Sequence, residues 1–137
     1  MTVIGYSGTP LVKKLGIKAG FYVIFSNEPS HYQKLLVGCP EVCPILEEKP
    51  ETADFIHLFC VEMTQFYEDS FRLKPLLKKD GMLWVSWPKG SSKIKTDLSR
   101  DGIRNFLLKN GLVDVKVCAI DNDWSGLKFV YRVKDRK

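Results

Sequence analysis

Residues 21–31, FYVIFSNEPSH, decide the fold of this chain. The run from Phe21 to Ser26 is aromatic and β-branched up to its last residue, which predicts a strand covered on both faces of a parallel sheet. Residues 29–37 then have the composition of a short helix that ends at Gly38 and Pro40. A buried strand that leads into a helix predicts the first unit of a parallel α/β fold.

The rest of the chain continues this alternation. Strands are predicted over residues 42–46, 53–61, 82–87, 113–120 and 127–133, and helices over residues 10–16, 62–79 and 97–109, with Thr9 as the N-cap of the first helix and Asp97 or Ser99 as that of the last. The strand at 42–46 is expected at an edge because Pro44 interrupts it. The turn at 121–126 is rich in Asp, Asn and Gly, so the last two strands are expected to pair antiparallel.

The order α-β-α-β-β-α-β-α-β-β predicts an α/β fold with three layers, a mostly parallel sheet and an antiparallel C-terminal hairpin. A length of 137 residues predicts one domain over residues 1–137. The longest predicted helix, 62–79, is expected to end in Lys78-Lys79, before Gly81. Its apolar stripe would consist of Met63, Phe66, Tyr67, Phe71 and Leu77.

The composition is that of a globular protein. Apolar residues make up 45% of the chain and charged residues 27%, which argues against disorder. The N-terminus lacks a basic and apolar leader, and no segment approaches the ~18 apolar residues of a membrane span. A cytoplasmic protein without membrane contact is therefore expected. The net charge of +5 is scattered along the chain, which favours a solvated surface over a nucleic-acid surface.

The four cysteines and two histidines predict no metal site. Cys60 and Cys118 lie in apolar strand-like runs, where a cysteine behaves as a small buried apolar residue. Cys39 and Cys43 bracket a turn, but no second pair of ligands at zinc spacing accompanies them. His57 lies inside a strand and is interpreted as a hydrogen-bonded structural residue. Reduced thiols are expected.

The loop after the first strand contains no glycine. In a parallel α/β fold this loop often approaches a phosphate or cofactor with bare backbone at positive φ, which only glycine adopts at little cost. No glycine occurs between Gly20 and Gly38. A ligand at this place would therefore meet the side chains of Asn27-Glu28-Pro29-Ser30-His31 instead of a glycine cradle.

Several segments resemble the class I S-adenosylmethionine-dependent methyltransferase fold. The resemblance rests on residues 14–20, 53–58, 76–84 and 106–115, which look like strands of that fold and their approaches. More closely, GYSGTPLVKKLGIKAG (5–20), WVSWPKG (84–90), TDL (96–98) and VDVKVCAIDNDWSGLK (113–128) resemble a small bacterial domain family of unknown function with that fold. The resemblance implies a Rossmann-like, methyltransferase-like scaffold.

Two departures from the methyltransferase pattern disfavour S-adenosylmethionine as a cofactor. The glycine loop is absent, so the methionine portion of the cofactor would face side chains. Residues 27–52 leave room for one helix and one weak strand, where the full fold usually has a further strand and helix. We therefore expect no cofactor.

The candidate pocket lies beyond the carboxyl ends of the parallel strands, where ligands bind in open α/β sheets. Its predicted residues are Ser26, Asn27, Glu28, Glu47, Glu62, Trp87 and Lys89. Glu47 and Glu48 follow the first strand at the spacing of an acid that binds a ribose. The alternative is that Asn27 and Glu28 cap the next helix, that Trp87 closes the core, and that the two acids lie in a solvated loop.

Three functions remain open at this point, and no catalytic or metal residue is assigned. The favoured hypothesis is a non-catalytic methyltransferase-like domain that binds a small anionic ligand or a protein partner. The second is a degenerate S-adenosylmethionine-dependent methyltransferase that uses the Asn27-Glu28 loop. The third is a weak nucleic-acid-binding module with Trp87 and Trp124 as stacking surfaces. Hydroxyls and lysines at 93–97 and 124–128 could also hold a phosphate, although no phosphate-loop motif supports this.

Overall fold

The structure is a computed structural model that describes residues 10–136. Within these residues, four helices and six strands follow one another in the order predicted from the sequence. They are α1 (Leu11–Leu15), β1 (Tyr22–Ser26), α2 (Tyr32–Leu35), β2 (Cys43–Pro44), β3 (Ala53–Phe59), α3 (Met63–Leu73), β4 (Leu77–Pro88), α4 (Arg100–Lys109), β5 (Leu112–Ala119) and β6 (Trp124–Tyr131). Short 3-10 turns cover Lys74–Leu76 and Val133–Asp135. Among the described residues, no helix is long and apolar enough to cross a membrane.

The strands form one mixed sheet in the order β2-β1-β3-β4-β6-β5. Strands β2, β1, β3 and β4 run parallel, whereas β6 runs antiparallel to both β4 and β5. This confirms the predicted sheet and its C-terminal hairpin, with β2 at an edge. The chain leaves β1 toward β2 and returns to β3 on the other side of β1. The strand order therefore reverses between β1 and β3, and the carboxyl ends of these two strands form the crevice in which such sheets bind ligands.

Two apolar clusters cover opposite faces of the sheet, because neighbouring residues of a strand point to opposite sides. On β3, Phe55 belongs to one cluster and Ile56 to the other. The first cluster joins the sheet to α1 and α2 through Val12, Leu15, Tyr32, Phe59, Trp84 and Trp124. The second joins it to α3 and α4 through Leu58, Phe66, Leu73, Val85, Ile103, Leu107 and Phe129. The molecule thus has the three predicted layers.

Helix α3 ends earlier than predicted, and the following strand begins earlier. Lys78 and Lys79 belong to β4 and not to a helix end, because the chain leaves the helix through the 3-10 turn that contains Pro75. The register between β3 and β4 shifts between Ala53 and Phe55. At Gly81, an added Cβ would lie 2.9 Å from the carbonyl oxygen of Ala53. Gly81 therefore permits close backbone packing inside the sheet, and it does not end a helix.

The buried stripe of α3 also differs from the predicted one. Phe66, Ser70 and Leu73 face the core, whereas Phe71 is 84% exposed. Phe71 lies five residues after Phe66, which places it well away from the buried side at 100° per residue. Strand β1 is less covered than predicted, since only Val23 is buried. Its outer neighbour β2 is two residues long and shields little of it.

The predicted helix caps agree with the structure better than the predicted apolar stripe of α3 does. Gly16 ends α1 in a left-handed conformation, with φ of 83°. Ser99 caps α4, because its hydroxyl accepts the N–H of Gly102 at 3.1 Å. Asp97 instead accepts the N–H of Met63 at 2.7 Å and so holds the start of α3. The predicted N-cap of α1, Thr9, lies outside the described residues.

The four cysteines are free thiols. Cys60 is buried, as predicted, and Cys118 is half-buried. Cys43 is exposed at the edge strand β2, and Cys39 is half-buried. Within residues 10–136, no group of three or more His, Cys, Asp or Glu side chains is arranged to hold a metal ion.

Candidate functional site

Asn27 lies at the centre of the crevice, directly after β1. Its φ of 60° places it in the left-handed region, which asparagine tolerates better than most residues. Its amide nitrogen donates to the carbonyl oxygen of Phe59 at 3.1 Å and to a carboxylate oxygen of Asp69 at 2.8 Å. The side chain therefore connects the end of β1 with the end of β3 and with α3. Asparagine supplies the positive φ of a glycine here, but its amide fills the space that a glycine would leave open.

Arg72 of α3 links the end of β1 to the loop that follows β2. Its guanidinium donates to Glu48 at 2.5 Å, and a second nitrogen lies 3.5 Å from the hydroxyl of Ser26. Arg72 therefore lies between the end of β1 and the acid that follows β2. This is the position at which the sequence spacing placed an acid for a ribose.

The remaining predicted pocket residues are less closely assembled. The side chains of Glu28 and Glu62 are exposed and form no hydrogen bond or ion pair with the described part of the chain. Glu47 is paired with Lys49 at 3.6 Å, far out in solvent, so Glu48 is the acid that reaches the crevice. Lys89 is held by its backbone, whose N–H donates to the carbonyl oxygen of Asp123 at 2.8 Å. The structure thus brings Ser26 and Asn27 together with Asp69, Arg72 and Glu48.

Both tryptophans near the strand ends belong to the core. Trp87 is 8% exposed and packs in the α3/α4 cluster, as the alternative interpretation of that residue had it. Trp124 is 7% exposed and packs edge-on against Phe59 at 5.1 Å. The prediction that these two rings offer stacking surfaces to nucleic acid is wrong, because neither presents a free face to solvent.

Sequence reasoning missed a contact between His31 and Asp121. Nε2 of His31 lies 2.8 Å from a carboxylate oxygen of Asp121. The other oxygen of Asp121 accepts the N–H groups of Asp123 and Trp124 at 2.8 and 2.9 Å, as in the predicted tight turn. The imidazole is partly exposed, so it combines solvent access with a fixed carboxylate partner. This pairing is the kind that orients a histidine for proton transfer.

His57 is the centre of a buried hydrogen-bonded chain. Its Nδ1 lies 2.7 Å from the hydroxyl of Tyr32, and its Nε2 lies 2.7 Å from the hydroxyl of Ser86. All three side chains are buried. Burial lowers the pKa of His57 to about 3 and raises the pKa of Tyr32. The three hydrogen-bonded side chains are therefore uncharged at physiological pH. The structural interpretation of His57 is confirmed, because both ring nitrogens are paired and no solvent reaches them.

Residues 27–52 contain no further strand and helix of the kind that the full methyltransferase fold usually has at this place. Between β1 and β3, residues 27–52 form only α2, which is four residues long, and the two-residue strand β2. The crevice is therefore bordered on that side by the loop that carries Glu48, which follows the edge strand.

Comparisons with known proteins identify the fold. Neither the family models nor the curated proteins gave a match. Among solved structures, the chain is similar to a SAM-dependent methyltransferase from Aquifex aeolicus, with 16% identity, coverage of 87% of this chain and 86% of that chain, and a TM-score of 0.58. It is also similar to a putative type 11 methyltransferase from Sulfolobus solfataricus, with 13% identity, 88% and 89% coverage, and a TM-score of 0.64.

A third similar structure is the ribosomal protein L11 methylase from Lactobacillus delbrueckii subsp. bulgaricus, with 13% identity, coverage of 89% and 75%, and a TM-score of 0.58. Identities this low show the fold and not the activity. The closer resemblance to a bacterial family of unknown function stays a prediction. The described chain therefore has a methyltransferase-like Rossmann fold, in which its own side chains occupy the crevice between β1 and β3.

Proposed function

We propose that this chain is a methyltransferase-like domain that transfers no methyl group and acts as a binding module for a small anionic ligand or a protein partner. The observation that carries the proposal is the position of Asn27. Its amide joins the carbonyl oxygen of Phe59 to the carboxylate of Asp69 across the crevice. A cofactor bound there needs backbone that it can approach closely, and at this place it meets an asparagine side chain.

The energy needed to open the crevice supports the proposal. A cofactor would have to displace the two hydrogen bonds of Asn27, which contribute about 1 kcal/mol each. It would also separate the exposed ion pair of Arg72 and Glu48, which contributes about 0.5 kcal/mol. The sum of about 2.5 kcal/mol corresponds to a loss of roughly 70-fold in affinity. The crevice also offers no glycine that would let backbone compensate for this loss.

Exposed aromatic side chains on α3 support a protein partner. Phe71 is 84% exposed and Tyr67 is 40% exposed on this helix. Tyr67 also packs against Phe106 of α4 at 4.6 Å between ring centroids. Aromatic residues are enriched at protein interfaces relative to the rest of the surface.

We further infer that residues 1–137 unfold as one domain, in a single cooperative transition.

Thermal unfolding with S-adenosylmethionine and S-adenosylhomocysteine tests the proposal. A ligand present at 100 times its Kd stabilises a protein by about 2.7 kcal/mol, which raises the Tm by several degrees. We expect no rise for this protein at about 1 mM of either compound, whereas an active methyltransferase of the same fold should show one. A clear rise, together with methyl transfer to any added acceptor, would refute the proposal.

The His31–Asp121 contact favours one alternative, a degenerate methyltransferase that binds its cofactor in an unusual way. A carboxylate-held imidazole at the carboxyl edge of the sheet is suited to accept a proton from a methyl acceptor. This alternative requires that labelled methyl groups appear on an acceptor, and that His31→Asn abolishes the labelling. If the wild-type protein transfers no label, the alternative is excluded.

A further inference from the structure

Three lysines come together on the face of the sheet that α1 covers. Lys116 of β5 and Lys128 of β6 are direct register partners, so their side chains leave the sheet side by side. Lys128 is also the register partner of the buried Trp84, which belongs to the α1 cluster. Lys18, in the segment between α1 and β1, is close enough to Lys128 for its charge to act there. We call Lys18, Lys116 and Lys128 the lysine cluster.

The lysine cluster is anchored to the fold. The ammonium group of Lys116 donates to the carbonyl oxygen of Lys14 at 2.9 Å, near the end of α1. This bond holds the strand pair β5–β6 against α1, which is also attached to β4 because the Trp84 indole N–H donates to the carbonyl oxygen of Leu15 at 2.9 Å. Lys128 is half-buried. Two of the three cations therefore have restricted positions.

No carboxylate neutralises the lysine cluster within residues 10–136. The ion pairs found there involve other cations: His31, Lys49, Arg72, Lys78 and Arg104. Residues 1–9, MTVIGYSGT, contain no Asp or Glu. The three ammonium groups thus gather without an acidic partner from the described chain.

This arrangement costs folding energy. Like charges directly opposite each other in an antiparallel pair destabilise a sheet. Burial lowers the pKa of Lys128, and the charges of Lys116 and Lys18 lower it further. A solvated lysine on a free surface would move away from its neighbours, but the Lys116 ammonium group is held by its bond to the carbonyl oxygen of Lys14, and Lys128 is half-buried on the paired strand. An anion between the ammonium groups would remove this repulsion.

We propose that Lys18, Lys116 and Lys128 form a binding site for a phosphate group. Each ammonium group supplies three N–H donors and a point charge, and lysine is a common ligand of phosphate in proteins. The phosphate belongs either to a small phosphorylated ligand or to a nucleic-acid backbone, since both present the same group to the lysines.

The lysine cluster is separate from the crevice beside Asn27. The crevice lies between β1 and β3, whereas the cluster lies on β5 and β6, on the far side of β4 in the sheet. Binding of phosphate and the absence of methyl transfer are therefore independent, and either can fail without the other.

Phosphate binding is measured at low ionic strength by calorimetry, with inorganic phosphate, tripolyphosphate and a single-stranded RNA as probes and sodium chloride at matched ionic strength as the reference. The test variants are Lys128→Gln and Lys116→Gln. The control variant is Lys109→Gln, which removes an exposed cation at the end of α4 on the opposite face. All variants carry the same net charge, so a general charge effect cancels between them.

We expect both test variants to lose at least tenfold in affinity for tripolyphosphate, whereas Lys109→Gln keeps the wild-type affinity. Lys128→Gln should also raise the Tm at low salt without phosphate, because it removes the repulsion. RNA binding that strengthens with strand length and weakens steeply with salt would identify the nucleic-acid backbone, and binding of the small phosphates alone would identify a free ligand. The proposal is overturned if the wild-type protein binds none of the probes, or if Lys109→Gln loses as much affinity as Lys128→Gln and Lys116→Gln.

Discussion

Acidification should destabilise this protein through His57. The imidazole is fully buried between Tyr32 and Ser86, and burial lowers its pKa from 6.5 to about 3. In the unfolded chain the same group takes up a proton below about pH 6.5. Between these two values the unfolded chain binds one proton more than the folded chain. The free energy of unfolding therefore falls as the pH falls through this window.

The size of the effect follows from the two pKa values. One proton taken up only by the unfolded chain changes the free energy of unfolding by about 1.4 kcal/mol per pH unit, once the pH is well below 6.5. Between about pH 7.5 and pH 5.0 the loss amounts to about 2 kcal/mol, because the first unit of this range contributes little. Carboxylates remain mostly ionised over this range.

Urea unfolding of the wild type and of His57→Gln measures this loss. The glutamine amide can bond to both hydroxyl groups but does not titrate. We therefore expect the stability difference between the two proteins to shrink by about 2 kcal/mol from pH 7.5 to pH 5.0, while contributions of all other groups cancel. A stability difference that stays constant within about 0.5 kcal/mol would mean that the folded protein accepts a proton at His57. It would contradict the buried, uncharged hydrogen-bonded chain of Tyr32, His57 and Ser86.

Three further predictions concern backbone conformation, packing and burial. Asn27→Ala should cost about 3 kcal/mol in urea unfolding and Asn27→Gly about 2 kcal/mol, since both lose two hydrogen bonds of about 1 kcal/mol each and only alanine adds about 1 kcal/mol of strain at positive φ; equal costs would contradict the left-handed conformation. Gly81→Ala should cost at least about 2 kcal/mol because its Cβ would collide with the carbonyl oxygen of Ala53 in β3, whereas Gly90→Ala, which meets open space, should change the unfolding free energy little. A tolerated Gly81→Ala would contradict the close approach of Gly81 to Ala53. A thiol reagent at about pH 8 should modify the exposed Cys43 and leave Cys60 intact, because burial raises the pKa of Cys60 to about 12. Mass spectrometry that finds both cysteines labelled at the same rate would contradict the burial of Cys60.

The order of strands and helices could be predicted because each apolar run is a local signal. Residues 53–61 and 82–87 are apolar except for Asp54, His57 and Ser86, and they contain β3 and the second half of β4. The end of α3 was missed because Lys78-Lys79-Asp80 has no strand pattern of its own. Pairing of Leu77 with Ala53 extends β4 through these residues, and the register shift between Ala53 and Phe55 leaves residues 78–81 without a register partner on β3. Tertiary pairing here overrides local preference.

The candidate site was predicted less completely for a related reason. The absence of glycine after β1 is a local fact of the sequence, and the structure places the side chain of Asn27 at the end of that strand. The partners of those side chains are distant: Asn27 meets Asp69 across 42 positions, and His31 meets Asp121 across 90. Single polar residues have no periodic pattern, so nothing in the sequence connects them before the fold is known.

We infer that the contacts of Asn27 and Arg72 close the crevice between β1 and β3 to S-adenosylmethionine and its relatives. The most direct measurement is an amide NMR spectrum of the isotope-labelled wild-type protein, recorded with and without S-adenosylhomocysteine at about 1 mM. We predict that the backbone signals of Ser26, Asn27 and Glu48 and the side-chain amide signal of Asn27 do not shift. Saturable shifts confined to these residues, with a Kd in the micromolar range, would show that the crevice binds the cofactor product and would contradict its closure by Asn27 and Arg72.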